Sequence, residues 1–149
     1  MTKPLFKEFI ILLILVAGLH LLAIYFDLYW TVSKFDSMMH FLGGASVVLG
    51  ILWLYFFSGF FNPQKRQIWQ FLSVSFLGLV FVSVSWEVYE LMAGVTFVSG
   101  QEYPFDTSLD FSMDLLGGAT ACLYAYMKEI SNVNLLLTVK GQAPDNLPV

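Results

Sequence analysis

Charge is scarce in this sequence. Of its 149 residues only 12% are Asp, Glu, Lys or Arg, about half the roughly 25% of an ordinary soluble domain, so a conventional water-exposed surface is excluded. Between Gln67 and Met127 there is no Lys or Arg at all, which removes any basic face for nucleic acid. The single cysteine, Cys122, lies inside an apolar run; no disulfide framework exists, and the thiol reads as a small packing residue. Also missing are a P-loop, G-x-S-x-G, H-E-x-x-H and C-x-x-C, so nucleotide hydrolysis and serine hydrolysis have no support.

What is present is apolar: 58% of the residues are hydrophobic and the mean hydropathy is +0.73. Four runs are long enough to cross a hydrocarbon core of about 30 Å at roughly 20 residues each. They predict helices over residues 5–26, 36–57, 67–93 and 108–127. The first follows Lys3 and Lys7, is too long for a signal peptide and precedes no A-x-A site, so it reads as a retained anchor. The expected fold is all-α: a polytopic integral membrane protein with a four-helix transmembrane domain over 1–127 and a mostly mobile cytoplasmic tail over 128–149. In that tail 134–139 could lie on the membrane surface.

Basic residues collect on the cytoplasmic side of a membrane. Lys3, Lys7, Lys65, Arg66, Lys128 and Lys140 flank one set of run ends, against Lys34 alone at the other, so both termini are expected inside. The loops, 27–35 and 94–107 among them, are too short for a separate domain, and any chemistry must come from the helices.

Two segments share a pattern, DSMMHFLGGAS from Asp36 and DFSMDLLGGAT from Asp110. They align without a gap at Asp36/Asp110, Met39/Met113, Leu42/Leu116, Gly43/Gly117, Gly44/Gly118 and Ala45/Ala119, as a tandem helical-hairpin repeat would. Residues four apart share a helix face, so Asp36 joins His40 and Asp110 joins Asp114. The glycines that follow suit close helix packing, which would press the polar faces together.

A helical rise of about 1.5 Å per residue puts His20, His40, Glu87, Glu90 and Asp114 roughly 5–9 Å below the outer helix ends, in one layer. Asp36, Asp106 and Asp110 can also be read as helix caps or interfacial charges, and the two histidines as neutral rings satisfied by neighbours. Glu87, Glu90 and Asp114 resist such readings, because an acid within a span costs about 2.5–3.5 kcal/mol and faces the bundle interior. Six acids between Gln67 and Met127 have no base beside them. Crowded carboxylates at low dielectric must share protons or bind a cation.

The patterns D-x-x-x-H-F at Asp36, His40 and Phe41, the acid Glu87, and D-x-x-x-D-x-x-G at Asp110, Asp114 and Gly117 resemble the VanZ-like bacterial membrane proteins and, more closely, the related YjdF-type inner-membrane family. VanZ-like proteins usually carry an amide opposite Asp114 and often Gln opposite Glu90, which favours the second family. The resemblance covers roughly two thirds of the chain and implies a bacterial cytoplasmic-membrane setting with a shared polar site. VanZ-like proteins are associated with resistance to lipophilic glycopeptide antibiotics.

Three function classes follow. In the first, His40, Glu87, Asp110 and Asp114, with His20 and Glu90 in reserve, hold zinc or manganese and act on or bind an envelope lipid or lipophilic compound, with Glu90 or Asp36 as general base. In the second the polar layer only fixes packing in a non-catalytic envelope factor. In the third the acids serve a proton-coupled carrier, which the apolar inner halves disfavour unless a homo-oligomer supplies a path. Membrane lipids are the expected partners, and nucleic acid is not one.

Overall fold

The computed structural model describes residues 5–61, 63, 66–94 and 103–141, with side chains through residue 133. Its elements are α1 (Phe6–Tyr25), α2 (Leu28–Thr31), α3 (Phe35–Leu52) continued by a π-helical turn (Trp53–Phe57), α4 (Ile68–Ala93) and α5 (Tyr103–Gly141). The protein is an all-α, multi-spanning membrane bundle. Among the described residues three helices are long and apolar enough to cross a membrane: α1, α3 with its π turn, and α4.

Local sequence accounts for most boundaries. In the first connection the left-handed residues Asp27 and Lys34 turn the chain on either side of α2, a helix within the expected loop. Glutamines at both ends of the first turn of α4, Gln67 and Gln70, form a capping box that satisfies N–H groups otherwise left open. Gly94, at φ 66°, ends α4 in the left-handed conformation that glycine tolerates best.

α5 departs from the sequence expectation at both ends: it begins before residue 108 and runs past 127. Pro104 falls in its first turn, where the missing N–H costs nothing, and no glycine or proline interrupts it between Gly118 and Gly141. Hydropathy marked where the apolar part stops, whereas the helix continues through polar residues. Residues 134–139 are helical. Residues 142–149, with Pro144 and Pro148, lie outside the described residues, as do Lys3, Lys65 and Glu102.

α3 is the centre of the bundle. It packs on α1, α4 and α5, most extensively on α5, whereas α1 buries a single residue, Ala23. Away from the Asp36 end the core is apolar, built from Val48, Leu49, Leu52 and Phe56 of the α3 segment against Phe71, Leu79 and Cys122. Phe56 stacks on Phe71 with ring centroids 4.3 Å apart. In the π turn Ser58 N–H reaches the Trp53 carbonyl at 2.8 Å, and Arg66 donates to the Phe56 carbonyl at 3.3 Å. Arg66 also pairs with Glu129 at 2.6 Å, and Lys128 pairs with Glu8, which ties α5 to both the α3–α4 connection and α1.

The α3–α5 crossing is a backbone-to-backbone contact. A Cβ on Gly44 would overlap the Asp114 main chain, and one on Gly117 would overlap the Phe41 carbonyl. The other members of the two glycine pairs differ: Gly43 meets nothing within 4 Å, and Gly118 faces the side chains of Leu79 and Val48. Aligned glycines therefore do unequal work. Replacing Gly44 or Gly117 with Ala is expected to cost roughly 1–3 kcal/mol through overpacking, while Gly43→Ala, with open space around the new methyl, should hold stability or raise it by up to about 1 kcal/mol. Thermal unfolding of the three variants in detergent checks this, and equal midpoints would contradict the crossing.

Candidate functional site

Two helical turns build the polar end of the bundle. Asp36 and His40 project from α3, Asp110 and Asp114 from α5, and the glycine crossing just beyond them turns each pair toward the other. His40 stands between the acids. Its Nε2 lies 3.9 Å from Asp36 Oδ1 and 3.9 Å from Asp110 Oδ2, and its Nδ1 lies 3.3 Å from Asp114 Oδ1. His40, Asp110 and Asp114 are buried, and Asp36 is partly so.

α4 contributes the next shell of contacts. Ser83 Oγ donates to Asp114 Oδ2 at 2.5 Å, so Asp114 accepts from Ser83 with one oxygen and faces the imidazole with the other. Carboxylates face both ring nitrogens, so a cation bound at Nε2 would leave the His40 proton on Nδ1, donated to Asp114 Oδ1. This is the arrangement by which an outer carboxylate orients a metal-binding imidazole.

Ligand atoms of Asp36, His40 and Asp110 all lie within 4.8 Å of one another. Two donors bonded to one ion at about 2.0–2.2 Å stand at most about 4.4 Å apart, so the two 3.9 Å separations from His40 fit, and the two acids, within 4.8 Å of each other, would need to draw in by at most a few tenths of an ångström. Asp110 is only 2% exposed, and its Oδ1 is buried with no hydrogen-bond partner. A buried, unsatisfied carboxylate oxygen is costly unless something positive meets it. The donor set, one imidazole and two carboxylates, suits a divalent cation. The protein thus contains a buried Asp–His–Asp cluster able to coordinate a divalent metal.

The other sequence candidates are placed differently. Asp114, expected as a ligand, lies 3.3 Å from His40 Nδ1, on the side of the ring away from Asp36 and Asp110. Glu87, also expected as a ligand, accepts from Thr107 Oγ1 at 2.8 Å and from Tyr103 O–H at 3.4 Å, which fastens α4 to the start of α5 and keeps it out of the three-residue group. Glu90 is buried and accepts from Trp86 Nε1 at 2.8 Å, one turn away on α4. His20 meets Tyr29 O–H at 2.7 Å. Burial, with Asp36 and Glu90 nearby, pushes the Tyr29 hydroxyl up to about 12.

A cavity of about 610 Å³ adjoins the cluster, lined by α1, α2, α3 and α4 and by Asp114 of α5. Asp36, His40, Asp114, Ser83, Glu90 and His20 belong to its polar part; Val16, Ala17, Val47, Leu79 and Val82 form much of the rest. Sequence reasoning missed Ser83, Trp86, Tyr29 and Thr107. A signal existed for Ser83: Phe71, Ser75, Leu79, Ser83 and Glu90, spaced by four, four, four and seven, make the buried stripe of α4.

A bundle of apolar helices that encloses a metal-competent acid and histidine cluster beside a cavity defines a polytopic membrane protein with an internal polar site. The chain belongs to the family described as Predicted membrane protein (DUF2238), whose model matches residues 4–129 and so takes in every site residue named above. No curated protein and no solved structure matches the chain.

Ser83→Ala removes the donor to a buried carboxylate and is expected to destabilise the protein by about 1–3 kcal/mol. Ser85→Ala, whose exposed hydroxyl bonds only the Phe81 carbonyl of its own helix, should stay within about 0.5 kcal/mol of wild type. Denaturation of both variants in the same detergent separates them, and an equal effect would remove Ser83 from the site.

Proposed function

We propose that this protein holds a divalent cation, zinc or manganese, between Asp36, His40 and Asp110 in the outer half of a four-helix bundle of the bacterial inner membrane. The centre serves to bind or act on an envelope lipid or lipophilic compound that occupies the adjoining cavity. One observation carries the reading: His40 Nε2 faces two carboxylates while Asp114 backs Nδ1, and a buried oxygen of Asp110 has no hydrogen-bond partner. Asp114 orients the imidazole. Glu90 lines the cavity and is the group placed to hold a proton if the bound compound reacts, while Asp36 is engaged as a ligand.

In this reading α5 is the fourth span, with its acids turned inward: Asp110 and Asp114 are buried within the bundle and do not meet lipid. Both termini are cytoplasmic. The pairing of Glu8 with Lys128 and of Arg66 with Glu129 gathers basic residues at the end opposite the site, as cytoplasmic charge does. The resemblance to VanZ-like and YjdF-type proteins agrees with an inner-membrane envelope role.

A structural role for the polar layer is favoured by one contact, the seat of Gly44 against the Asp114 backbone, since polar bonds there would lock the helix crossing. A carrier is disfavoured by the closed apolar core below the cavity.

Metal analysis of the purified full chain tests the proposal. Wild type should carry about one zinc or manganese per chain; His40→Ala and Asp110→Asn should lose it; Asp114→Asn should weaken affinity about 10–100-fold; Glu87→Gln should retain it. If no variant differs from wild type in metal content while all remain folded, the layer is structural. For topology, cysteines replacing Ser33 and Phe60, both exposed, in a Cys122→Ser background should react with an impermeant reagent from outside only at position 33. Labelling of position 60 from outside would invert the bundle.

A further inference from the structure

The cavity has a sidewall that the helix packing leaves open. α1 packs on α2 and α3, α4 packs on α3 and α5, and α1 and α4 make no comparable contact although both line the cavity. The space is partly open, and about 610 Å³ is ample for one alkyl chain and its head. With α1 and α4 both apolar on their outer surfaces, the gap between them faces lipid.

Charge selects the head that would enter. Asp36, Asp114 and Glu90 line the cavity, and among its lining residues there is no Lys or Arg; its basic groups are His20, bonded to Tyr29, and His40, set among the acids. Lys34, a base at this end, lines a different groove with Met38, Phe41 and Met113. A divalent cation at Asp36, His40 and Asp110 would still leave the Glu90 carboxylate, 8% exposed, with the single Trp86 N–H bond found for it. Around Glu90 the lining is aromatic: Tyr29, Trp30, Trp86 and Tyr89, with Trp86 and Tyr89 rings 5.5 Å apart. A carboxylate and several aromatic rings lining one cavity are the chemistry that recognises an alkylammonium group.

We infer that the cavity between α1 and α4 is a lateral binding site for an amphiphile with an ammonium head, which sits against Glu90 and the aromatic residues while its alkyl chain lies along Val16, Ala17, Val47, Leu79 and Val82. This rests on the reading that the polar end of the bundle lies within the membrane, and it does not require the metal. The same head chemistry occurs in membrane aminolipids and in free lipophilic amines.

Equilibrium binding of radiolabelled dodecyltrimethylammonium and dodecyl phosphate to the full chain in dodecyl maltoside, against protein-free micelles, tests the site. Wild type is expected to bind the ammonium compound saturably, about one per chain, and the phosphate at least tenfold more weakly. Glu90→Gln should weaken ammonium binding about tenfold or more with metal content unchanged, and Val82→Trp, which fills the chain channel, should abolish it. Phosphatidylethanolamine that competes in a Glu90-dependent way identifies a membrane lipid as the source; failure to compete identifies a free amine. Ammonium binding in a protein that carries no metal would overturn the metal centre alone. The inference is overturned by equal binding of the phosphate, by wild-type ammonium binding in Glu90→Gln, or by no saturable binding. Should Glu90→Gln fail to fold, head-group preference and Val82→Trp decide the matter.

Discussion

The approach of α3 to α5 governs the polar end of the bundle. Two glycines, Gly44 and Gly117, let each helix lay its backbone against the other, with Asp114 and Phe41 as the facing main-chain groups. Side chains one turn earlier on each helix then have no choice of neighbour. Asp36 and His40 must meet Asp110 and Asp114, and the short distances at His40 follow from that geometry. Were the helices separated by an ordinary pair of side chains, at the usual 8–10 Å between axes, the acids would stand too far apart to share an imidazole or an ion.

Low dielectric raises the stakes of that convergence. In water three carboxylates around one imidazole would be screened; here His40, Asp110 and Asp114 are buried and the neighbouring core is hydrocarbon. The arrangement answers with directional bonds. Ser83 and His40 hold Asp114, Trp86 holds one oxygen of Glu90, and Thr107 holds Glu87. What stays open is on Asp110 and on the cavity side, where a ligand rather than a protein group would complete the set.

Much of this was legible in the sequence for reasons of arithmetic. A rise of about 1.5 Å per residue and two matching motifs were enough to bring Asp36, His40, Asp110 and Asp114 to one depth and one face. Rotation was not legible. Neighbouring residues on a helix differ by about 100°, so the motif could not say that Gly44 rather than Gly43 meets α5. Nor could it say that Glu87 turns to Thr107 while Glu90, three residues on, turns into the cavity. α4 is apolar nearly all round and gives no face from which to decide. The ends of α5 were missed because hydropathy senses the bilayer and not the hydrogen-bonded helix, and Ser83 because it is one of four serines in α4 and one of the two on its buried stripe.

The pairing of Glu8 with Lys128 joins residues 120 positions apart in the chain. A ribosome would release Lys128 long after α1 had entered the membrane. Until then α1, which buries only Ala23, has α2 and α3 to hold it and no bond to α5. In the folded chain the end of α1 opposite the site is thus pinned by charge to α5, whereas the length that walls the cavity rests on α2 and α3.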